Sequence, residues 1–247
     1  MAIYIPQNSI PFNDLVVPQI RLLIVGPPGS GKTFNTINSF PNVVYADFDN
    51  GLTDERLKEY SPTILPFYDI DWCKSKLGTD NQCNAFKRWI NTEARKLGVE
   101  QTLVIDSLTG LQDVFHKYTE PLIPTNKEGV KDGYYIWGEK GSLFRDLHIL
   151  LKTLKCNIVS IMHTKEERDK NDVLIGKVTP NFSGGFKAGL CSHYTDVFVS
   201  TCTTPTPTTP SKYLWQVWKS DKYDFIKARG NYTQATIEAG YQNLKHK

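Results

Sequence analysis

The sequence predicts an α/β protein of three layers, with a mostly parallel central sheet and helices on both of its faces. Short apolar runs rich in β-branched residues alternate along the chain with helical patterns, which is typical of that architecture. The runs are almost continuously apolar, which indicates strands that are covered on both sides. They lie at residues 20–25, 42–48, 102–106, 157–162 and 195–200.

Two apolar stripes with helical spacing lie between these runs, and we interpret both as core-facing surfaces of helices. The first stripe consists of Phe86, Trp89, Ile90, Ala94 and Leu97. The second stripe consists of Leu143, Leu147, Leu150, Leu151 and Leu154.

The composition is that of an ordinary soluble protein, with 40% hydrophobic and 22% charged residues. The net charge of +3 is too small to indicate nucleic-acid binding by itself. The five cysteines form neither a CxxC pair nor a zinc-like cluster, which argues against a disulfide framework. The N-terminus lacks signal-peptide features, and no apolar run is long enough to cross a membrane. We therefore expect a cytoplasmic protein without a membrane partner (in the host cytoplasm, if a phage encodes it).

Residues 26–33, GPPGSGKT, directly follow the first apolar run and match the phosphate-binding pattern G-x-x-x-x-G-K-[ST]. The glycines let successive backbone N–H groups face phosphate oxygens, and the following helix adds the positive end of its dipole. Lys32 supplies charge for the β- and γ-phosphates, and the Thr33 hydroxyl is a predicted Mg²⁺ ligand. The predicted nucleotide-binding residues are Gly26, Pro27, Pro28, Gly29, Ser30, Gly31, Lys32, Thr33 and Phe34.

A carboxylate that orients the metal is predicted at Asp106. The sequence LVIDS at 103–107 places this residue at the carboxyl end of an apolar strand, where open α/β sheets bind their ligands. Thr33 and Asp106 are thus the predicted metal ligands. The alternative is that Asp106 only caps a helix that begins near residue 108.

The carboxylate that activates water is less obvious. Many P-loop hydrolases carry a glutamate directly after the strand-end aspartate, but this chain has Ser107 there. The second apolar run ends in ADFDNGL, in which side-chain alternation places Asp47 and Asp49 on one face. If this strand lies near the phosphate-binding strand, one of them can reach a water in line with the γ-phosphate. Both aspartates are equally compatible with a structural role at the end of the strand and in the turn that follows it.

In their order along the chain, these motifs resemble the RecA-like recombinase core. The likeness is greatest to the core-only RecA-like ATPases of phages, which include the Sak-type single-strand annealing proteins. It covers roughly residues 19–230, and only GPPGSGKT is specific by itself. The other matching features are Asp49, Asp106, Trp137 with Gly138, His163, and Lys227 with Arg229.

The resemblance implies catalytic roles for three of these residues. Asp49 would take the place of the water-activating glutamate of RecA-like proteins, with a side chain one methylene shorter. Lys227 and Arg229 would reach the nucleotide of a neighbouring subunit, like an arginine finger. The alternative for this pair is the solvated edge of a strand, since the two side chains alternate onto one face.

The resemblance also implies a switch at His163. This side chain would lie beside the γ-phosphate and report its presence to the following segment, 164–187, which would contact DNA. Phe182 and Phe186 in that segment are candidate stacking faces for single-stranded bases. A structural hydrogen bond for His163, and a lid or subunit contact for the segment, are the alternatives.

The chain is predicted to contain one large domain. We expect residues 1–18 to be an N-terminal extension, 19–230 the ATPase domain, and 231–247 a C-terminal tail or short helix. Within the domain, 119–137 is predicted to be an irregular insertion and the Thr/Pro-rich stretch 201–212 an extended surface loop.

The function predicted from these features is that of an ATPase that uses ATP and Mg²⁺ and acts on single-stranded DNA in phage-type recombination or annealing. Its expected partners are the DNA and further copies of itself, in a ring or filament. A small-molecule kinase is the first alternative, although 119–137 lacks the arginines usual in a kinase lid. An assembly or accessory ATPase that does not bind DNA is the second.

Overall fold

The structure, a computed structural model, describes residues 19–52, 55–125, 129, 133–206 and 210–245. The strands are β1 (Arg21–Gly26), β2 (Val43–Asp47), β3 (Thr63–Pro66), β4 (Thr102–Asp106), β5 (Asn157–Arg168), β6 (Leu174–Pro180), β7 (Asp196–Cys202), β8 (Tyr213–Gln216) and β9 (Thr236–Glu238). The helices are α1 (Lys32–Ser39), α2 (Ile70–Leu77), α3 (Gln82–Thr92), α4 (Leu108–Thr119) and α5 (Gly133–Leu151). The predicted N-terminal extension, residues 1–18, lies outside the described residues.

The strands form a mixed sheet in the order β3–β2–β4–β5–β1–β7–β8–β9, and β6 pairs with β5 off this path. The strands from β3 to β7 in this order are parallel to their neighbours, whereas β8 and β9 are antiparallel. The predicted α/β fold with a mostly parallel sheet is confirmed. The strand β5 lies between β4 and β1, so His163 within β5 lies at the same edge of the sheet as Asp106, which ends β4, and Gly26, which ends β1.

Both faces of the sheet are covered, as the continuous apolar runs predict. Successive residues of β1 point to opposite sides: Leu23 joins the core beneath α3, α4 and α5, and Leu22 joins the core beneath α1. Both predicted helical stripes pack against the first of these cores. None of the helices in the described ranges combines the length and the apolarity that a membrane crossing requires.

The predicted irregular insertion at 119–137 is shorter than expected. Thr119 still belongs to α4, and α5 begins at Gly133, so Trp137 and Gly138 lie inside this helix. Trp137 makes a contact within α5 and a contact with a distant part of the chain. The Lys140 ammonium lies 3.7 Å from the centre of the Trp137 ring, which also lies against Gly184.

The segment 164–187 is mostly a β-hairpin. The strand β5 does not end near residue 162 but continues to Arg168, and β6 returns beside it with Pro180 opposite Thr164. A 3₁₀ helix, Gly185–His193, follows and packs against α5. The hairpin is therefore a direct extension of a central strand.

The C-terminal segment 231–247 is more than a tail or short helix in its described part. It contributes β9, which pairs with β8, and a 3₁₀ turn at Tyr241–Asn243. Ile237 of β9 packs against the core beneath α1, and this burial orders a stretch with little local signal of its own. Of the Thr/Pro-rich stretch 201–212, the first two residues belong to β7, and residues 207–209 lie outside the described residues. The backbone N–H of Thr203 donates to the carbonyl oxygen of Lys212 shortly before β8 begins.

Candidate functional site

The loop of the GPPGSGKT motif connects the end of β1 to the first residue of α1. Gly29 and Gly31 have φ values of +74° and +80°, a conformation that side chains with a Cβ rarely adopt. A Cβ on Gly31 would also overlap the ring of Tyr213. Gly31 therefore serves two purposes, because it allows the turn into α1 and the close approach of an aromatic ring.

Lys32 points back into this loop. Its ammonium group donates hydrogen bonds to the carbonyl oxygens of Gly26, at 2.9 Å, and Pro27, at 2.7 Å. Burial lowers the pKa of Lys32, while the charges of Asp106 and Asp49 oppose that change. The charge of Lys32 thus lies in the concavity of the loop, where the motif predicts phosphate oxygens.

Asp106 ends β4 directly opposite the start of α1. The Thr33 hydroxyl donates a hydrogen bond to Oδ2 of Asp106 at 2.6 Å, and the hydroxyl of Tyr45 donates to the same oxygen. Burial raises the pKa of Asp106, and the two hydrogen bonds oppose this effect. The predicted metal ligands, Thr33 and Asp106, are therefore brought together.

Asp49 lies just beyond the end of β2 and faces the same space. Its Oδ2 accepts a hydrogen bond from the Ser107 hydroxyl at 2.5 Å and lies 3.5 Å from Nε2 of His163. Burial alone would raise the pKa of Asp49, but the hydrogen bonds from His163 and Ser107 and the charges of His163 and Lys32 lower it below its usual value. The group is consequently an ionised carboxylate, able to accept a proton.

Asp47 has a different environment, although the sequence could not separate it from Asp49. It is only 1% exposed, and its Oδ1 accepts the backbone N–H of Asp49 at 3.0 Å. Burial raises its pKa to about 6. The carboxylate closes the turn after β2, whereas that of Asp49 lines the cleft.

The phosphate-binding loop, Asp49, Asp106 and His163 border a cleft of about 340 Å³ at the carboxyl end of the sheet. Its aromatic end contains Phe34, whose ring centre lies 6.1 Å from that of Tyr213 and 4.9 Å from the guanidinium carbon of Arg56. Of the predicted nucleotide-binding residues, the cleft is lined by Pro28, Gly29, Gly31, Lys32, Thr33 and Phe34. Asp49, Asp106 and His163 line it too.

Lys227 and Arg229 lie elsewhere. Lys227 is paired with Val197 near the start of β7, at the end of the sheet opposite the phosphate-binding loop. Its ammonium group donates to the Tyr194 carbonyl at 2.7 Å, and the backbone N–H of Arg229 donates to Asp196. Neither residue lines the cleft of its own chain, so their role at a neighbouring subunit stays a prediction.

The suggestion that Phe182 and Phe186 offer stacking faces for bases is wrong. Phe182 is 1% exposed and Phe186 is 8% exposed, and both rings pack against Phe144 of α5. The exposed apolar side chains of the hairpin are instead at its tip: Val173, Leu174 and Ile175.

Sequence reasoning missed Tyr45 and the contact made by Ser107. Tyr45 is a single hydroxyl-bearing side chain within a buried apolar strand, and buried tyrosines usually find a hydrogen-bond partner. That signal could have suggested a polar contact, although not its identity. Ser107 was considered only because it occupies the position after Asp106, where many P-loop hydrolases have a glutamate.

The model of the AAA_24 family, described as an AAA domain, matches residues 19–204. The matched span contains the phosphate-binding loop together with Asp49, Asp106 and His163, whereas Lys227 and Arg229 lie beyond it. No curated protein matches the chain significantly. Because the match covers most of the chain and all of the residues that line the cleft except Tyr213, the protein belongs to the AAA_24 family of AAA domains and is a P-loop ATPase.

Proposed function

We propose that this ATPase depends on Mg²⁺ and acts on single-stranded DNA in phage-type recombination or annealing, as its resemblance to Sak-type RecA-like ATPases suggests. The observation that carries the proposal is the position of His163, whose side chain contacts the candidate catalytic carboxylate and whose backbone begins the projecting hairpin. Nucleotide state and hairpin position are thus linked through one residue.

The donor set fits Mg²⁺. Thr33 and Asp106 present a hydroxyl and a carboxylate oxygen 2.6 Å apart, and oxygen ligands are those that this hard cation prefers. When bound there, Mg²⁺ would supply positive charge that offsets the negative charge of the phosphates. Lys32 and the backbone N–H groups of the loop would bind the phosphate oxygens.

Asp49 is the proposed general base for the attacking water. It is ionised, it lines the cleft, and two hydrogen bonds fix its orientation. General-base assistance contributes about 10²- to 10⁴-fold to rate in enzymes. The residue after Asp106 does not supply the base; Ser107 positions Asp49 instead.

His163 connects this chemistry to the hairpin. Its backbone N–H donates to the Thr109 hydroxyl at 3.3 Å, and its carbonyl accepts the N–H of Asn181 at 2.8 Å. Ser183 is then held by Gln112 of α4 through its N–H, at 2.8 Å, and its hydroxyl, at 3.1 Å. A movement of His163 on hydrolysis would therefore shift both strands of the hairpin where they leave the sheet.

The hairpin is the proposed DNA contact. Lys165 and Lys170 are exposed on it, whereas Lys177 and Lys187 lie within 3.6 Å and 3.5 Å of acidic partners. Few phosphates would be contacted, so DNA binding should be weak and salt-sensitive.

The test is ATP hydrolysis with and without single-stranded oligothymidylate at two salt concentrations, with Lys32→Ala as the blank. DNA is expected to stimulate hydrolysis, less so at high salt. The double variant Lys165→Ala/Lys170→Ala should lose the stimulation and keep the basal rate. Lys74→Ala/Lys76→Ala, which removes two exposed lysines of α2, is the matched control. Hydrolysis indifferent to DNA would remove the DNA role and favour an assembly ATPase.

The proposed partner besides DNA is a second copy of the chain, in a ring or filament, in which Lys227 or Arg229 faces the neighbour's cleft. Mixing the inactive variants Lys32→Ala and Arg229→Ala tests this. If the arginine acts between subunits, mixed assemblies regain part of the activity because some interfaces combine an intact Lys32 with an intact Arg229. Activity equal to the sum of the separate variants would contradict the role of Arg229.

A further inference from the structure

Tyr45 lies in the middle of β2 and is fully buried on the face of the sheet that α1 covers. Its hydroxyl donates a hydrogen bond to Oδ2 of Asp106, the same oxygen that accepts the Thr33 hydroxyl. A tyrosine is not required to fill this position, because the side chains of the core cluster around it are apolar and a phenylalanine ring has nearly the same shape. The hydroxyl therefore needs an explanation of its own.

We propose that Tyr45 is a positioning residue for the metal site, and that its hydroxyl sets the affinity of the nucleotide-bound protein for Mg²⁺ by fixing the Asp106 carboxylate. The inference rests on the proposed Mg²⁺ site of Thr33 and Asp106.

The two hydrogen bonds to Asp106 come from different parts of the molecule. Thr33 belongs to the first turn of α1, directly after the phosphate-binding loop, and its hydroxyl is itself a candidate ligand. Tyr45 belongs to the strand beside β4, with Tyr45 paired to Val104 in the register of the sheet. The core encloses its ring, so its hydroxyl keeps its position when the phosphate-binding loop changes conformation on binding nucleotide.

A fixed donor of this kind matters for metal affinity. Hydrogen bonds to a ligating carboxylate orient it before the metal arrives, and losing such an outer partner typically costs about 10- to 100-fold in affinity. Without the Tyr45 hydroxyl, Asp106 keeps one donor, and that donor has to rearrange when Thr33 binds the metal. A purely structural hydrogen bond would behave differently, because its loss would lower stability without changing metal affinity.

The experiment compares Tyr45→Phe with Tyr194→Phe. Tyr194 is also a buried tyrosine, and its hydroxyl lies 3.0 Å from Nε2 of His148, away from the cleft. Mn²⁺ binding to each protein with a non-hydrolysable ATP analogue is measured by electron paramagnetic resonance, and Mg²⁺ affinity by competition. Affinity for the analogue without metal is measured separately.

Tyr45→Phe is expected to weaken Mn²⁺ and Mg²⁺ binding about tenfold and to leave metal-free nucleotide affinity unchanged. Tyr194→Phe should change neither. Metal affinity of Tyr45→Phe within twofold of the wild-type value would overturn the inference. If the wild-type protein itself gains no nucleotide affinity from Mg²⁺, the proposed metal site fails instead, so the two failures are distinguishable.

A second pair of variants tests whether the effect of Tyr45 passes through Asp106. With Asp106→Asn in place, adding Tyr45→Phe should change the remaining metal affinity less than twofold, because the charged acceptor is already absent. A further loss of fivefold or more would mean that Tyr45 acts on another group, and would overturn the inference.

Discussion

The hydroxyl of Ser107 joins a helix terminus to the candidate catalytic carboxylate. It accepts the backbone N–H of Gly110 at 3.0 Å, as the N-cap of α4, and donates to Asp49 at 2.5 Å. The same side chain therefore starts the helix and orients the proposed base.

Replacing Ser107 by alanine should affect both functions. We expect Ser107→Ala to lower the free energy of unfolding by about 1 kcal/mol, through loss of the cap. We also expect kcat to fall about tenfold, because Asp49 loses a donor that orients it. Asn81→Ala is the matched control, since Asn81 caps α3 through the N–H of Asn84 and lies away from the cleft. If both variants retain full kcat, Ser107 is only a cap.

Gly110 provides a second, steric test of the same arrangement. A Cβ at this position of α4 would overlap the carboxylate of Asp49. Alanine favours the helical conformation by about 1 kcal/mol over glycine, so the free energy of unfolding should not fall much. The rate of hydrolysis should fall, because the added methyl group displaces the Asp49 carboxylate. Steady-state kinetics and urea unfolding of Gly110→Ala test this, and Gly138→Ala in α5, where a Cβ meets nothing within 4 Å, is the control. Unchanged hydrolysis would show that Asp49 can move without loss of function.

The assignment of Asp49 rather than Asp47 as the base predicts different outcomes for two similar variants. Asp49→Asn should reduce kcat at least about 100-fold while ATP binding persists, because only the proton acceptor is removed. Asp47→Asn should retain most of the activity, since its carboxylate lies in the turn after β2. The measurement is single-turnover hydrolysis beside equilibrium binding of ATP. The reverse ranking would identify Asp47 as the base.

Asp47 should instead control how stability depends on pH. Its pKa is raised by burial from 3.8 to about 6, so the folded protein keeps a proton that the unfolded chain has already lost. Below about pH 4 the group is protonated in both states and contributes nothing. Between about pH 4 and 6 the free energy of unfolding should fall as the pH rises, by up to roughly 3 kcal/mol, and remain lower above that range.

Urea unfolding at several pH values checks this expectation. Asp47→Asn removes the titrating group but keeps an oxygen to accept the N–H of Asp49. The variant should gain stability relative to the wild-type protein as the pH rises from 4 to 6. Parallel curves for the two proteins would show that Asp47 does not titrate in that range.

The sequence predicted the central strands well because burial on both faces leaves a continuous apolar run. It did not predict β3, whose first residues Thr63 and Ile64 are exposed, or β9, which is three residues long. Such edge strands form because the neighbouring strand has backbone N–H and C=O groups free to pair, and this pairing leaves little pattern in the local sequence. The extension of β5 into the hairpin was missed for the same reason.

The phosphate-binding loop could be predicted because its function depends on backbone conformation and one short stretch of chain. The roles of Asp47 and Asp49 could not be separated from the sequence, because side-chain alternation along a strand places both on one face. In the structure β2 ends at Asp47 and the chain then turns, so the alternation does not extend to Asp49. The contacts of Tyr45 and Ser107 join residues 61 and 58 positions apart in the chain. Only the packing of whole elements determines such contacts.

The position of β1 has a consequence for how the molecule is made. Both of its sheet partners, β5 and β7, lie in the second half of the described chain, and neither is near it in sequence. At about 5–20 residues per second, a ribosome would expose the phosphate-binding strand several seconds before either partner emerged. ATP has no finished site to bind during that interval, so the nucleotide can stabilise only the completed protein and cannot assist its early folding.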